Sequence, residues 1–134
     1  MLTSIRSKCS FCGAHSETIL HLLWKCKYVQ CFWNEIALLI NRKCVHSHNF
    51  TFTQSLVIFG KCNKITTDKI CDLIILLAKF FIYRSKVQNK PLYLDIFIKE
   101  LYRRYTIEKV ISKSSNKFIN DWTPYLALFK GILV

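Results

Sequence analysis

Glycine and proline are scarce, with three of one and two of the other in 134 residues. An all-β protein needs such residues at many tight turns, so that class is disfavoured and helix is the expected element. Acidic residues are also few, 8 Asp+Glu against 20 Lys+Arg. No Asp-Asp or Glu-x-x-Glu pair of the kind used in two-metal catalysis occurs, and no Gly-rich phosphate loop. Long apolar runs are missing as well. The most apolar stretch, 70–83, is interrupted by Asp72 and Lys79, far short of the roughly 20 residues that span a bilayer. Residues 1–12 contain Arg6 and Lys8 but no apolar core of a signal peptide. These absences leave catalysis without a candidate group and give no reason to expect a membrane partner. An intracellular location, cytoplasm or nucleus, is the expectation.

What is present is apolar and basic. Hydrophobic residues make up 51% of the chain and aromatics 14%, enough for a packed core and too many for a disordered chain. The formal net charge is +12. An excess of that size favours polyanions, because each neutralised phosphate releases condensed counterions. The bases are spread along the chain, which argues for a charged face and against a tail-like arm. Seven cysteines without a secretory signal point to reduced thiols and metal, and the odd count agrees.

Apolar positions give the coarse plan. From Thr18 onward Leu20, Leu23, Trp24, Phe32, Trp33, Ile36, Leu39 and Ile40 recur at three and four, as on an amphipathic helix ending near residues 41–43. One continuous helix and two with a break near Lys27 both fit. Residues 45–64 are the least regular. There Phe50-Thr51-Phe52-Thr53 alternates like a short strand, and Gly60 marks a turn. Thr66, Thr67 and Asp68 offer N-cap oxygens to a helix carrying Ile70, Leu73, Ile74, Leu77, Phe80 and Phe81 and leaving through Arg84 and Lys86. Asn89-Lys90-Pro91 breaks it, with Pro91 suited to the first turn of the next helix. That helix sets Leu94, Phe97, Ile98 and Leu101 on one face and Lys99, Arg103 and Arg104 largely on the other. After a polar joint at 112–117, Phe118, Ile119 and Trp122 form a short helix that Pro124 stops, and the apolar tail 125–134 should pack on something. The expected fold is all-α: a small zinc knuckle and helix over 1–45, then a helical bundle over 46–134.

One constellation carries chemistry: Cys9-x2-Cys12-x8-His21-x4-Cys26. Zinc takes four soft or borderline ligands in a tetrahedron, and closed sites of three Cys and one His are structural. A Cys-x2-Cys turn presents two thiolates from one side of a tight loop, and His21 and Cys26 can approach from the helix that follows. At regular pitch a spacing of five swings side chains apart by about 140°. The site therefore requires a distorted or broken helix between His21 and Cys26. His15 and Cys31 are candidate substitutes for His21 and Cys26. Cys44, Cys62 and Cys71 have no ligand spacing among themselves, and Cys71 reads as a core residue. His46 and His48 read as solvated loop residues. A closed site leaves no open position for substrate or water, so no enzyme is expected.

Phosphate contacts near the metal fall to Arg6, Lys8, Lys25 and Lys27, with Arg103 and Arg104 as a second patch. Tyr28 can stack on an unpaired base or pack. The competing expectation is a protein-docking module without direct nucleic-acid contact, which the high apolar content favours.

Three blocks carry a family likeness: Cys-Ser-Phe-Cys-Gly at 9–13, Glu-Thr-Ile-Leu-His-Leu-Leu-Trp-Lys-Cys at 17–26 and Phe-Trp-Asn-Glu-Ile at 32–36. Together they resemble the zinc-binding segment that follows the reverse transcriptase of LINE-type non-LTR retrotransposons. Ile58-Phe59-Gly60, residues 74–83 and Trp122-Thr123-Pro124-Tyr125 resemble the carboxy-terminal stretch of such polyproteins, so the likeness covers nearly the whole chain. It implies a region that contacts RNA and target DNA during target-primed reverse transcription, beside the reverse transcriptase domain of the parent element. It also implies ligand roles for Cys9, Cys12, His21 and Cys26. The family's endonuclease and polymerase do not carry over, so the resemblance implies a fragment without catalytic domains. Where members often have Pro after the last Cys, this chain has Lys27.

Overall fold

The computed structural model describes residues 9–13, 18–44, 51–60 and 68–130. Arg6, Lys8, His15, His46, His48, Phe50, Cys62, Thr66, Thr67 and residues 131–134 lie outside them. The fold is all-α, a small Cys/His knuckle followed by packed helices, and no strand occurs among the described residues.

The chain leaves the Cys9–Cys12 turn, enters a π-helical turn at His21–Lys25 and restarts as α1 at Lys27–Lys43. Of the two arrangements open at the sequence level, the broken one is found. The break is Cys26, whose extended backbone (φ −60°, ψ 130°) separates the two segments. Helix α1 buries Val29, Phe32, Trp33, Ile36, Ala37, Leu39 and Ile40, and Arg42 and Lys43 sit in its last turn, where cations suit the helix dipole.

Phe52 and Thr53 do not belong to a strand. Thr53 is instead the N-cap of α2 (Gln54–Phe59), its hydroxyl accepting from the Leu56 amide at 3.1 Å. The alternation of 50–53 carried a capping residue that competes for the local backbone, and the cap won. Gly60 closes α2 in the left-handed region, φ 71°, which a side chain would strain.

Asp68 caps α3 (Lys69–Val87) by accepting from the Cys71 amide at 2.7 Å. Pro91 is not in the first turn of the next helix. The chain runs through 90–93 without helical structure, and α4 (Leu94–Ser112) starts after Tyr93. Proline disfavours helical geometry in the residue before it, and Asn89 already takes positive φ. The polar joint turns at Lys113 and Ser114, both at φ 56°, and Ser115 caps α5 (Asn116–Trp122). The α-helix does end just ahead of Pro124, as expected, but the chain stays helical beyond it. Pro124 occupies the first turn of a 3₁₀ segment, Thr123–Phe129, where a missing amide proton costs nothing.

Two aromatic clusters hold these pieces together. Phe32 of α1, Phe81 of α3 and Phe97 of α4 meet with ring centroids 5.5 Å apart in all three pairs. Tyr105 of α4 contacts Phe118, Trp122 and Phe129, fixing α5 and the 3₁₀ segment on α4. As expected of the tail, Tyr125, Leu128 and Phe129 are buried. The boundary between 1–45 and 46–134 lies outside the described residues, but buried residues on both sides of it form one hydrophobic core, from Cys9 and Cys26 to Phe129. The knuckle is therefore built onto the bundle, with Lys86 of α3 beneath it: its carbonyl accepts from the Ser10 hydroxyl at 3.2 Å.

Candidate metal centre

The Cys9–Gly13 turn is closed by the Gly13 amide, which donates to the Cys9 carbonyl at 2.9 Å. Gly13 takes φ 78°, a conformation that a side chain would oppose. Inside the turn the Phe11 amide donates to Cys9 Sγ at 3.4 Å. The third and fourth side chains come from the two ends of a short helical segment, His21 at its start and Cys26 just past its last residue. Thr18 accepts from the His21 amide at 3.0 Å, which anchors its start.

The π-helical turn solves the spacing problem. The Cys26 amide donates to the His21 carbonyl at 3.2 Å, an i→i+5 bond in place of the α-helical i→i+4 bond. One extra residue in the turn brings residues five apart back toward one face, so His21 and Cys26 converge. The Trp33 indole donates to the Leu23 carbonyl at 2.9 Å, supplying a partner for a carbonyl inside the irregular turn.

The ligand atoms of Cys9, Cys12, His21 and Cys26 all lie within 4.8 Å of one another, close enough to hold one metal ion. Cys9 and Cys26 are buried, with their sulfurs 3.8 Å apart, and Cys12 Sγ lies 3.2 Å from His21 Nε2. A disulfide requires about 2.05 Å, and both buried thiols are free. Burial pushes the Cys26 thiol up from 9.0 to about 11, against the amides of Tyr28 and Val29 and the charge of Lys86, which pull it down. A bound cation would reverse that balance, since coordination deprotonates a thiol outright.

Of the proposed substitutes, Cys31 is exposed and stands outside the cluster. Cys71 and Cys44 are buried apart from it, and burial raises their thiols to about 12 and about 11. Both are core residues.

The basic candidates are placed differently from one another. Lys25 and Lys27 flank Cys26 and are exposed, and the Lys27 ammonium lies 5.2 Å over the Tyr28 ring. Tyr28 itself is half exposed. Arg103 and Arg104 are exposed on α4, and Arg104 pairs with Glu108 at 2.6 Å. Beside the knuckle lies a cleft of about 430 Å³, lined among others by Phe11, Tyr28, Phe32, Glu35, Asn89 and Lys90. Sequence reasoning missed Ser10, Phe11 and Lys86 as partners of the centre. For Lys86 no local signal existed, because its contact with Ser10 spans 76 residues.

No family model, curated protein or solved structure matches the chain.

Proposed function

We propose that this chain is a zinc-stabilised nucleic-acid-binding module, of the kind found behind the reverse transcriptase of non-LTR retrotransposons, and not itself an enzyme. The observation that carries the zinc assignment is the convergence of three sulfurs and one imidazole nitrogen. Zinc–sulfur bonds of about 2.3 Å in a tetrahedron set sulfurs about 3.8 Å apart. The Cys9–Cys26 separation of 3.8 Å supports that geometry. Four protein ligands would close the site, so zinc there would hold the knuckle in shape and leave no position for a reacting water.

Support for nucleic acid comes from charge and its neighbours. The chain carries +12 overall, and Lys25 and Lys27 stand exposed on either side of a ligand. The adjacent cleft adds aromatic faces, Phe11 and Tyr28, with Lys90 at its edge. Aromatic rings among cations suit unpaired bases, because every base has a π-face to stack. RNA, DNA or both would be the partner, alongside the reverse transcriptase domain of a parent element.

A second reading, a module that docks on a polymerase body, is favoured by one feature. Leu76, Phe80, Tyr83 and Val87 are exposed along α3 at spacings of four, three and four. Such a stripe suits a protein groove better than a phosphate backbone. Binding of the zinc-loaded chain to single-stranded oligonucleotides at graded salt separates the two readings. Salt-dependent binding weakened by Tyr28→Ala supports the first. No oligonucleotide binding at low salt overturns it.

A further inference from the structure

Lysine is almost never buried unless its charge has a partner. Lys86, in the last turn of α3, is only 7% exposed. Its ammonium lies 5.2 Å over the ring of Phe11, and its carbonyl takes the Ser10 hydroxyl at 3.2 Å. Ser10 and Phe11 are the two residues between Cys9 and Cys12. Neighbouring bases on the same helix face other groups: Arg84 pairs with Glu100, and Lys79 donates to the Val57 carbonyl at 2.8 Å. The basic end of α3 thus brings Lys86 against the knuckle.

A dipositive ion held by three thiolates and a neutral imidazole leaves one net negative charge. That charge would sit on two buried ligands, Cys9 and Cys26, and two half-buried ones, Cys12 and His21. Unbalanced charge on its buried side is costly, and a cation nearby offsets it. We propose that Lys86 is a charge-compensating, positioning residue of the metal centre. It neutralises the loaded Cys3His set and locks the Cys9–Cys12 turn against α3, which couples metal binding to the packing of the helices. This inference rests on the zinc reading above.

The test uses the full chain with Lys86→Met, which keeps the stem and loses the charge, and Lys86→Arg, which keeps the charge. Lys99→Met, at an exposed position of α4, is the control. Zinc affinity is measured by competition with a chelating dye, and cobalt(II) spectra report the geometry. Loss of a group outside the ligand set typically weakens metal binding 10- to 100-fold. Lys86→Met should weaken zinc by about tenfold or more while still binding one ion with a tetrahedral cobalt spectrum. Lys86→Arg should recover most of the affinity, and Lys99→Met should match the parent. Melting with and without zinc separates charge from packing: in Lys86→Met the zinc-induced rise in Tm should shrink while the metal-free Tm stays near that of the parent. Should Lys86→Met fail to fold, Lys86→Gln carries the same comparison. Parental zinc affinity in Lys86→Met or Lys86→Gln, an arginine variant as weak as methionine, or a lowered metal-free Tm with an unchanged zinc-induced rise would each overturn the proposal. A parent chain that binds no zinc sinks the zinc reading itself, before any variant is compared.

Discussion

The Cys26 amide reaches back five residues to the carbonyl of His21, at 3.2 Å. This one bond fixes the candidate site. In a regular α-helix Cys26 would bond to residue 22, and the His21 and Cys26 side chains would diverge by about 140°. The wider turn costs regularity in the backbone, and Trp33 contributes by giving the Leu23 carbonyl an indole donor. Cys26 then serves twice, as one of the four converging side chains and as the extended residue from which α1 starts.

Metal content is the first measurable consequence. Purified chain should carry one zinc, and Cys26→Ser or Cys12→Ser should lose it. Cys31→Ser and Cys71→Ser should keep it, since neither residue belongs to the cluster. Structural zinc contributes on the order of 10 kcal/mol of apparent free energy in small sites. Removal by chelator should therefore expose the knuckle to protease. Because Cys9 and Cys26 belong to the same core as the helices, Tm should fall too. Elemental analysis and limited proteolysis check both points, and retention of zinc by Cys12→Ser with loss from Cys71→Ser would reverse the assignment.

Helix α3 has two faces of opposite tolerance. Ile82 is fully buried, whereas Leu76 is 61% exposed. Ile82→Asp should unfold the chain, because an unpaired carboxylate in a core costs several kcal/mol, comparable with total stability. Leu76→Asp should stay folded, with Tm within a few degrees of the parent. Leu77 is half-buried, so an aspartate there should have an intermediate effect. Circular dichroism melts of the three variants order them directly.

Helical periodicity makes most of this legible in the sequence. Phe32, Trp33, Ile36, Leu39 and Ile40 of α1, and Phe97, Ile98 and Leu101 of α4, are buried as their recurrence at three and four predicts, whereas Phe80, on the apolar pattern of α3, is exposed. The irregular turn was legible as well, since four ligands at fixed spacing leave a regular helix no way to reach one ion. Two kinds of feature were not. Thr53 looked like a strand residue because alternation and capping share the same composition, and only the following helix decides between them. Lys86 reads as one more solvated cation in the last turn of a helix. Its role emerges only when tertiary packing brings Ser10 and Phe11 onto it.

Nucleic-acid binding should show a salt slope. Log affinity is expected to fall linearly with log salt by about 0.7 to 0.9 per neutralised phosphate. Lys25→Ala with Lys27→Ala should lower the slope by about one to two, as both side chains are exposed beside the candidate metal centre. Arg104→Ala should lower it less than either lysine, because Glu108 already holds its guanidinium. Fluorescence anisotropy across a salt series measures all three, and binding indifferent to salt would favour protein docking.

Alkaline stability tests the closing contact of the bundle, where the Tyr125 hydroxyl donates to Asp68 Oδ2 at 2.6 Å. Asp68 caps α3 with its other oxygen, so this one carboxylate joins the start of α3 to the 3₁₀ segment 57 residues later. Burial pushes the phenol far up, and the hydrogen bond and charge of Asp68 push it further. The sign follows from linkage. The folded chain holds the phenolic proton more tightly than the unfolded one, so its stabilising contribution is complete below the unfolded value of about 10. As pH rises beyond that value, the unfolded chain ionises first and stability is lost. The buried thiols of Cys44 and Cys71, raised to about 11 and about 12 from 9.0, act in the same direction from slightly lower pH. Tm should therefore hold up to about pH 8 and drop steeply between about pH 9 and pH 11. Tyr125→Phe should cost about 1.5 to 3 kcal/mol near neutrality, where it removes a hydrogen bond to a charged group. It should also make the alkaline drop shallower, because one of the protons that differ between the two states is gone. A Tyr125→Phe variant whose alkaline profile runs parallel to that of the parent would show that the phenol is not what the fold protects.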